Sequence, residues 1–198
     1  MAQTMDLLSS GVVTSSSSTR YFSVTMSSYS TYHKFRLICD FGDQGSGGYA
    51  MSYLWFNSDT NTNSYAEGRR DADGNSTYWS GDMNVGSGGN GSELMYVMGQ
   101  SNQQDNGERS SQWDGWFSNL ALCHASDSDR ASAQWSALSF QAAQGSLPGS
   151  PYFMRLTSRS GLFKSDGDAA ISTLNFGHPN SYYLLIGSRY TLYGFKHN

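Results

Sequence analysis

Asp71, Asp73 and Asn75 place side-chain oxygens at alternate positions, the spacing with which a calcium loop presents its first ligands. The pattern stops there, because such a loop needs a glycine at its sixth position and a bidentate glutamate at its twelfth, where this chain has Ser76 and Asp82. A solvated Asp/Asn/Gly turn is the better reading, since these short side chains bond their own backbone and tolerate turn geometry. His33, His124, His178 and His197 form no HxH, HxxxH or HExxH arrangement that would gather imidazoles on one metal. Serines are so abundant that Ser, His and Asp coexist by chance, and no GxSxG elbow exposes one of them as a nucleophile. Glycoside hydrolysis needs two positioned carboxylates, whereas Asp40, Asp43, Asp59, Glu67, Glu93 and Glu108 fall mostly in or beside expected loops. Gly86, Gly88, Gly89 and Gly91 are followed by neither GK[ST] nor a helix start, so they read as a strand connector and not as a phosphate cradle. The expectation is a protein that is not an enzyme and that holds no cofactor and no metal.

Composition narrows the partners. Charged residues make up only 14% of the 198, against about 25% in ordinary soluble domains, so the surface must be built from Ser, Asn, Thr, Gln and Gly. The net charge of −4 supplies no concentrated cationic field for phosphate backbones or anionic lipid, which disfavours nucleic acid and membrane as partners. No apolar run reaches the roughly 18 residues needed to cross a bilayer, and the first residues lack the basic start and apolar centre of a secretion signal. The expected place of synthesis is therefore a cytoplasm. Cys39 and Cys123 lie in the apolar runs FRLICDF and NLALCH, where buried thiols are expected; a bridge between them requires adjacent strands, and sequence leaves that open.

The elements that must position these groups are short alternating or apolar runs separated by Gly, Ser, Asn and Asp, the pattern of β structure. Strands are expected over 6–14, 20–26, 34–41, 50–57, 77–81, 94–99, 116–124, 134–141, 152–158, 170–176 and 189–195. Phe22, Val24 and Met26 share one face of the second, and Ile171, Leu174 and Phe176 anchor a later one. Ala131, Trp135, Leu138 and Ala142 also fit one side of a helix, but the same window fits a pleat and is read as a strand. The fold class expected is all-β, a two-sheet antiparallel β-sandwich of jelly-roll type, in a single domain over 1–198 with 1–18 either its first strand or an N-terminal arm. Low-complexity stretches at 42–48, 57–64, 86–92 and 101–112 cannot bury themselves and are expected at the surface as loops.

Aromatic residues carry the remaining signal. Most should fill the core, and Trp79 and Trp113, each beside a polar loop, are the pair expected at the surface, where an indole stacks on a sugar or anchors a neighbouring subunit.

The stretch 170–196, AISTLNFGHPNSYYLLIGSRYTLYGFK, carries Ile171, Leu174 and Phe176, then Gly187, Ser188, Arg189, Leu192, Tyr193 and Gly194. It resembles a C-terminal signature of small structural proteins of tailed bacteriophages, an I-x-x-I/L-x-F strand followed by G-S-R-x-x-L-Y-G. The opening, 6–14 followed by 22–26 and 32–38, and the element WFNSDTNTNSY at 55–65 resemble further parts of these proteins. The resemblance implies a jelly-roll-like module carried on capsids or tails, often as a homotrimer, with the major capsid protein or other virion proteins as partners and the virion, assembled in the host cytoplasm, as its location. A capsid decoration or cement protein is the leading expectation. The alternative is a tail-fibre or receptor-binding module contacting host surface polysaccharide. The chain departs from the pattern in the long Gly/Ser/Asn-rich middle between Gly86 and Gln112.

Overall fold

A computed structural model describes residues 4–15, 19–44, 50–57, 65–73, 76–80, 96–101, 109–118, 132–143, 153–164, 171–178 and 183–196. Every run of alternating apolar residues within them is extended, and thirteen strands result: β1 (Thr4–Val12), β2 (Tyr21–Thr25), β3 (Lys34–Gln44), β4 (Ala50–Phe56), β5 (Tyr65–Asp73), β6 (Ser76–Ser80), β7 (Tyr96–Ser101), β8 (Arg109–Ser118), β9 (Ser132–Ala143), β10 (Phe153–Lys164), β11 (Thr173–Gly177), β12 (Tyr183–Leu184) and β13 (Arg189–Lys196). The described residues contain no α-helix, only one 3-10 turn at Met26–Tyr29.

The strands form two antiparallel sheets. The larger runs β1-β13-β3-β8-β9-β10-β5-β6, with β12 pairing the far end of β3, and the smaller runs β2-β11-β4-β7. Side-chain alternation explains why the two meet. Phe35, Leu37, Cys39 and Phe41 take alternate positions on β3 and are all buried, as are Tyr190 and Leu192 on β13 and Trp113 and Phe117 on β8. Val24 on β2, Leu54 and Phe56 on β4, and Leu174 and Phe176 on β11 belong to the same buried cluster from the opposite sheet. Each sheet therefore turns one face inward, and the facing side chains make one core. The all-β, two-sheet expectation holds at this level.

The rings at the seam interlock. Phe22 and Phe176 of the smaller sheet lie within 4.9 Å, centroid to centroid, of Tyr190 in the larger, at 4.8 and 4.9 Å respectively. Phe41 of β3 stacks on Phe176 at 6.4 Å. Such pairs add about 0.5–1.5 kcal/mol each beyond the apolar area they bury.

Asn57 ends β4 in the left-handed region at φ 54°, a conformation that asparagine tolerates better than most side chains. Its Oδ1 accepts from the backbone N–H of Ser172 at 2.7 Å, the Ser172 hydroxyl at 3.0 Å and the Thr173 N–H at 3.2 Å. The buried Asn175 returns the favour, its Nδ2 donating to the Asn57 carbonyl at 2.6 Å. One side chain thus closes the ends of β4 and β11 on each other.

Several expectations need correction. Residues 109–112, read as loop, are the first part of β8, which pairs residue for residue with β3 from Asp43↔Arg109 to Lys34↔Ser118. The strand expected over 116–124 therefore lies earlier, and its later residues fall outside the described ones. Residues 65–73 were expected to carry no strand, yet they form β5, pairing β10 on one side and β6 on the other. The 134–141 window is a strand as expected, flanked by β8 and β10 along its length. Residues 4–12 are a strand at the sheet's end and not a detached arm.

Phe176 is fully buried between the sheets. Phe176→Ala should cost about 3–5 kcal/mol of unfolding free energy by urea titration, the usual range for a truncated core phenylalanine. Asn57→Ala should cost about 2 kcal/mol or more, because two backbone donors lose their acceptor and alanine resists a positive φ; Asn57→Gly should recover the conformational part.

Candidate contact surface

Trp113, expected at the surface, is buried. It is 3% exposed, on the inner face of β8, and its ring lies 5.8 Å from that of Phe117. Its place follows from its neighbour: Gly115 is two residues on, hence on the same face, and a Cβ there would run into the Trp113 ring. A glycine next to tryptophan on one face of a strand is a signal that the indole lies flat against the sheet, and it was present in the sequence as W-D-G. Trp79 sits on β6 opposite Arg70 in the register with β5, at the other end of the same sheet. Three strands, β9, β10 and β5, separate the strands that carry the two tryptophans.

The outward face of the sheet is a better-defined surface. Adjacent outward positions run Met5–Phe195–Lys34, Leu7–Tyr193–Arg36–Trp116 and Val12–Arg189–Asp40 across β1, β13, β3 and β8. Arg36 grips Asp114 through two hydrogen bonds, from Nε to Oδ1 at 2.9 Å and from Nη2 to Oδ2 at 2.6 Å. That bond, before any other cause, raises the Arg36 pKa. The same guanidinium and the Lys34 ammonium lie over the Trp116 ring, at 5.1 and 4.4 Å, and Trp116 packs on Phe195 at 5.3 Å. At the strand end, Tyr32 donates to Asp6 Oδ2 at 2.8 Å, and Lys196 reaches the same carboxylate at 3.5 Å while lying over the Tyr32 ring. Arg36 and Lys196 are thus paired with carboxylates, and half-exposed groups of this kind contribute at most about 1 kcal/mol per pair to stability.

Five of the six named residues of the G-S-R-x-x-L-Y-G stretch have a clear structural task. Gly187 adopts φ 91°, open to glycine, in the turn before β13. Buried Ser188 donates from its hydroxyl to the Gly42 carbonyl at 3.2 Å and accepts from the Gly42 N–H at 3.0 Å, tying that turn to β3. Arg189 pairs with Asp40 at 3.0 Å, Leu192 is fully buried, and Gly194 leaves room for the Tyr32 ring and Leu8, which a Cβ would meet at 2.5 and 2.6 Å. These residues seat the closing strand.

Other sequence candidates separate in space or fall outside the described residues. Asp71 and Asp73 lie on β5, with Asp73 opposite Ser76 of β6, so two residues separate the strands there, as a hairpin connection requires. His178 is buried, its backbone N–H donating to the Arg20 carbonyl. His124, His197, Cys123 and the 86–92 glycines lie outside the described residues. Among the described residues no three His, Cys, Asp or Glu side chains gather to hold a metal ion. Cys39 is a buried free thiol, 1% exposed, and burial pushes its pKa well above the ordinary value.

With Cys123→Ser leaving one thiol, native protein should resist a thiol reagent at pH 8 and react fully once unfolded in guanidinium. The raised Cys39 pKa also fixes a sign. Above the ordinary thiol value the unfolded chain releases a proton that the folded one keeps, so stability should fall as pH rises through that range, and Cys39→Ala should remove that slope. Gly115→Ala should destabilise the fold by more than 1 kcal/mol by urea titration, since its new methyl displaces a buried ring.

No protein-family model, no curated protein and no solved structure matches the chain.

Proposed function

We propose that this chain is a structural contact module of a tailed-phage particle, a decoration or cement subunit that adds buried surface between neighbouring capsid proteins. The observation that carries the reading is the 187–194 stretch, whose residues resemble the phage signature and serve to lock β13 between β1 and β3. Nothing in that role requires turnover. The charge-poor composition adds support, because copies packed densely on a lattice repel less when few like charges repeat. In this reading the two sheets are a jelly-roll-type sandwich forming a single domain. The module assembles as a homotrimer, takes the major capsid protein or other virion proteins as partners, and has its place in the virion.

A second reading rests on a different observation. Trp116, half-buried on the outward face beside Lys34 and Arg36, offers an aromatic platform with cations at its rim. That chemistry suits an acidic sugar, and it favours a tail-borne module contacting host polysaccharide.

Copy number separates the two. Quantitative mass spectrometry of purified particles should find this chain near stoichiometric with the major capsid protein. A few copies per particle moves it to the tail, and its absence from particles defeats both readings.

A further inference from the structure

An aspartate followed by glycine is a chemically vulnerable junction. The glycine nitrogen, unhindered because its residue has no Cβ, can attack the aspartate Cγ: an N–C bond forms, a C–O bond breaks, and the carboxyl oxygen leaves as water with the amide proton and one more. The product is a cyclic succinimide. Water then opens the ring at either carbonyl, restoring aspartate or leaving isoaspartate, in which Cβ and Cγ have entered the main chain. This chain has three such junctions, at 73–74, 114–115 and 166–167. At 114–115 both residues are described, and they lie in the middle of β8.

The fold requires the glycine there. Gly115 is paired with Leu37 of β3 on one side and Ala137 of β9 on the other. A Cβ in its place would overlap the ring of Trp113, which is itself buried. The junction is therefore not relieved by a larger residue at 115 without displacing the indole.

Two features of the structure oppose the attack. Antiparallel backbone is extended, with ψ about +135°, which turns the following nitrogen away from the side-chain carboxyl, so ring closure requires β8 to open locally. The second feature is Arg36. Opposite Trp116 in the register, it stands diagonal to Asp114 across the β3–β8 ladder and takes both carboxylate oxygens, Nε donating to Oδ1 at 2.9 Å and Nη2 to Oδ2 at 2.6 Å. Each oxygen that could leave is thus held by a donor, and the carboxylate is tied to β3. Burial gives no comparable protection, because the Asp114 side chain is 38% exposed and water reaches it.

We infer that Asp114–Gly115 is a latent isoaspartate site and that Arg36 is the residue that keeps it closed. A half-exposed ion pair adds little to equilibrium stability. This one acts on a slow chemical step, where a small change in local opening accumulates as damage over time. The product matters because Trp113 and Phe117 flank the junction and are both buried: one extra main-chain atom between them breaks the alternation that turns both inward. The inference concerns the chemistry of the chain itself and does not rest on the virion reading.

Ageing gives the test. Parent protein and Arg36→Gln are incubated at mildly acidic pH, folded and in urea, at a temperature where urea titration shows both folded without denaturant. After digestion, the peptide spanning 114–115 is read by mass spectrometry for succinimide, lighter by one water, and for isoaspartate, of unchanged mass, by its separate elution and main-chain fragmentation. The parent should react at least about tenfold more slowly folded than in urea. Arg36→Gln should raise the folded rate about fivefold or more, the factor that a modest loss of local stability produces, and should leave the urea rate unchanged. The 73–74 and 166–167 junctions serve as clocks in the same sample. Arg36→Lys, which keeps the charge and loses the fork, carries the same comparison if the glutamine variant does not fold. A parent that reacts as fast folded as in urea, a folded variant no faster than the parent, or a rise that appears equally in urea overturns the inference.

Discussion

The structure depends on one aromatic seam. Phe22 and Phe176 come from the smaller sheet, Phe41 and Tyr190 from the larger, and each ring lies within 6.4 Å of at least two of the others. The ladder hydrogen bonds run within each sheet, so the two sheets are held together by side-chain packing, in which this seam is joined by pairs such as Phe56 and Phe117. The seam supplies both burial and geometry: rings at 12° and 71° to one another leave few alternative ways to pack. Tyr190 also reaches the edge, its hydroxyl meeting Ser9 at 2.8 Å and its ring filling the space that Gly11 leaves. The position of β1, and hence of its exposed side chains, is a consequence of core packing.

Around that seam the polar interactions are joints. Asn57 fastens β4 to β11, Ser188 fastens the turn before β13 to β3, and Arg36 fastens β3 to β8 on the outward face. Each connects two strands distant in sequence, a requirement of a topology in which β13 lies between β1 and β3. Among the described residues of the outward face Arg36 and Arg189 are paired with carboxylates, and they lie beside aromatic rings, aliphatic side chains and small hydroxyls. Such a surface is suited to lie against another protein, and its specificity comes from shape and register more than from long-range fields.

How much was legible in the sequence varied with the origin of each signal. Phe22, Val24 and Met26 announced β2 because one face of that strand is buried and the other is not, and alternation records that difference. β5 gave no such signal: YAEGRRDAD is charged at five of its nine positions and has no large aliphatic residue, and it is a strand because β10 and β6 satisfy its backbone on both sides. The beginning of β8 was hidden likewise, since RSSQ reads as loop until β3 is laid beside it. The surface assignment of Trp113 failed for a related reason. Its chain neighbours are polar, but burial is set by what lies across the sheet interface, and Phe117 and the rest of the core lie there.

The sequence by itself determined the class of structure and the low content of charge, because these depend on local periodicity and composition. Tertiary structure alone decided which strand ends the sheet and that Trp113 is buried. The bulge at Leu8 is the clearest instance: nothing in TMDLLSSGV marks it, and it exists because Leu8 is drawn into the core while Leu7 and Ser9 keep their places against β13. Facing and pairing are relations between distant segments, and they are settled only when the seam brings those segments together.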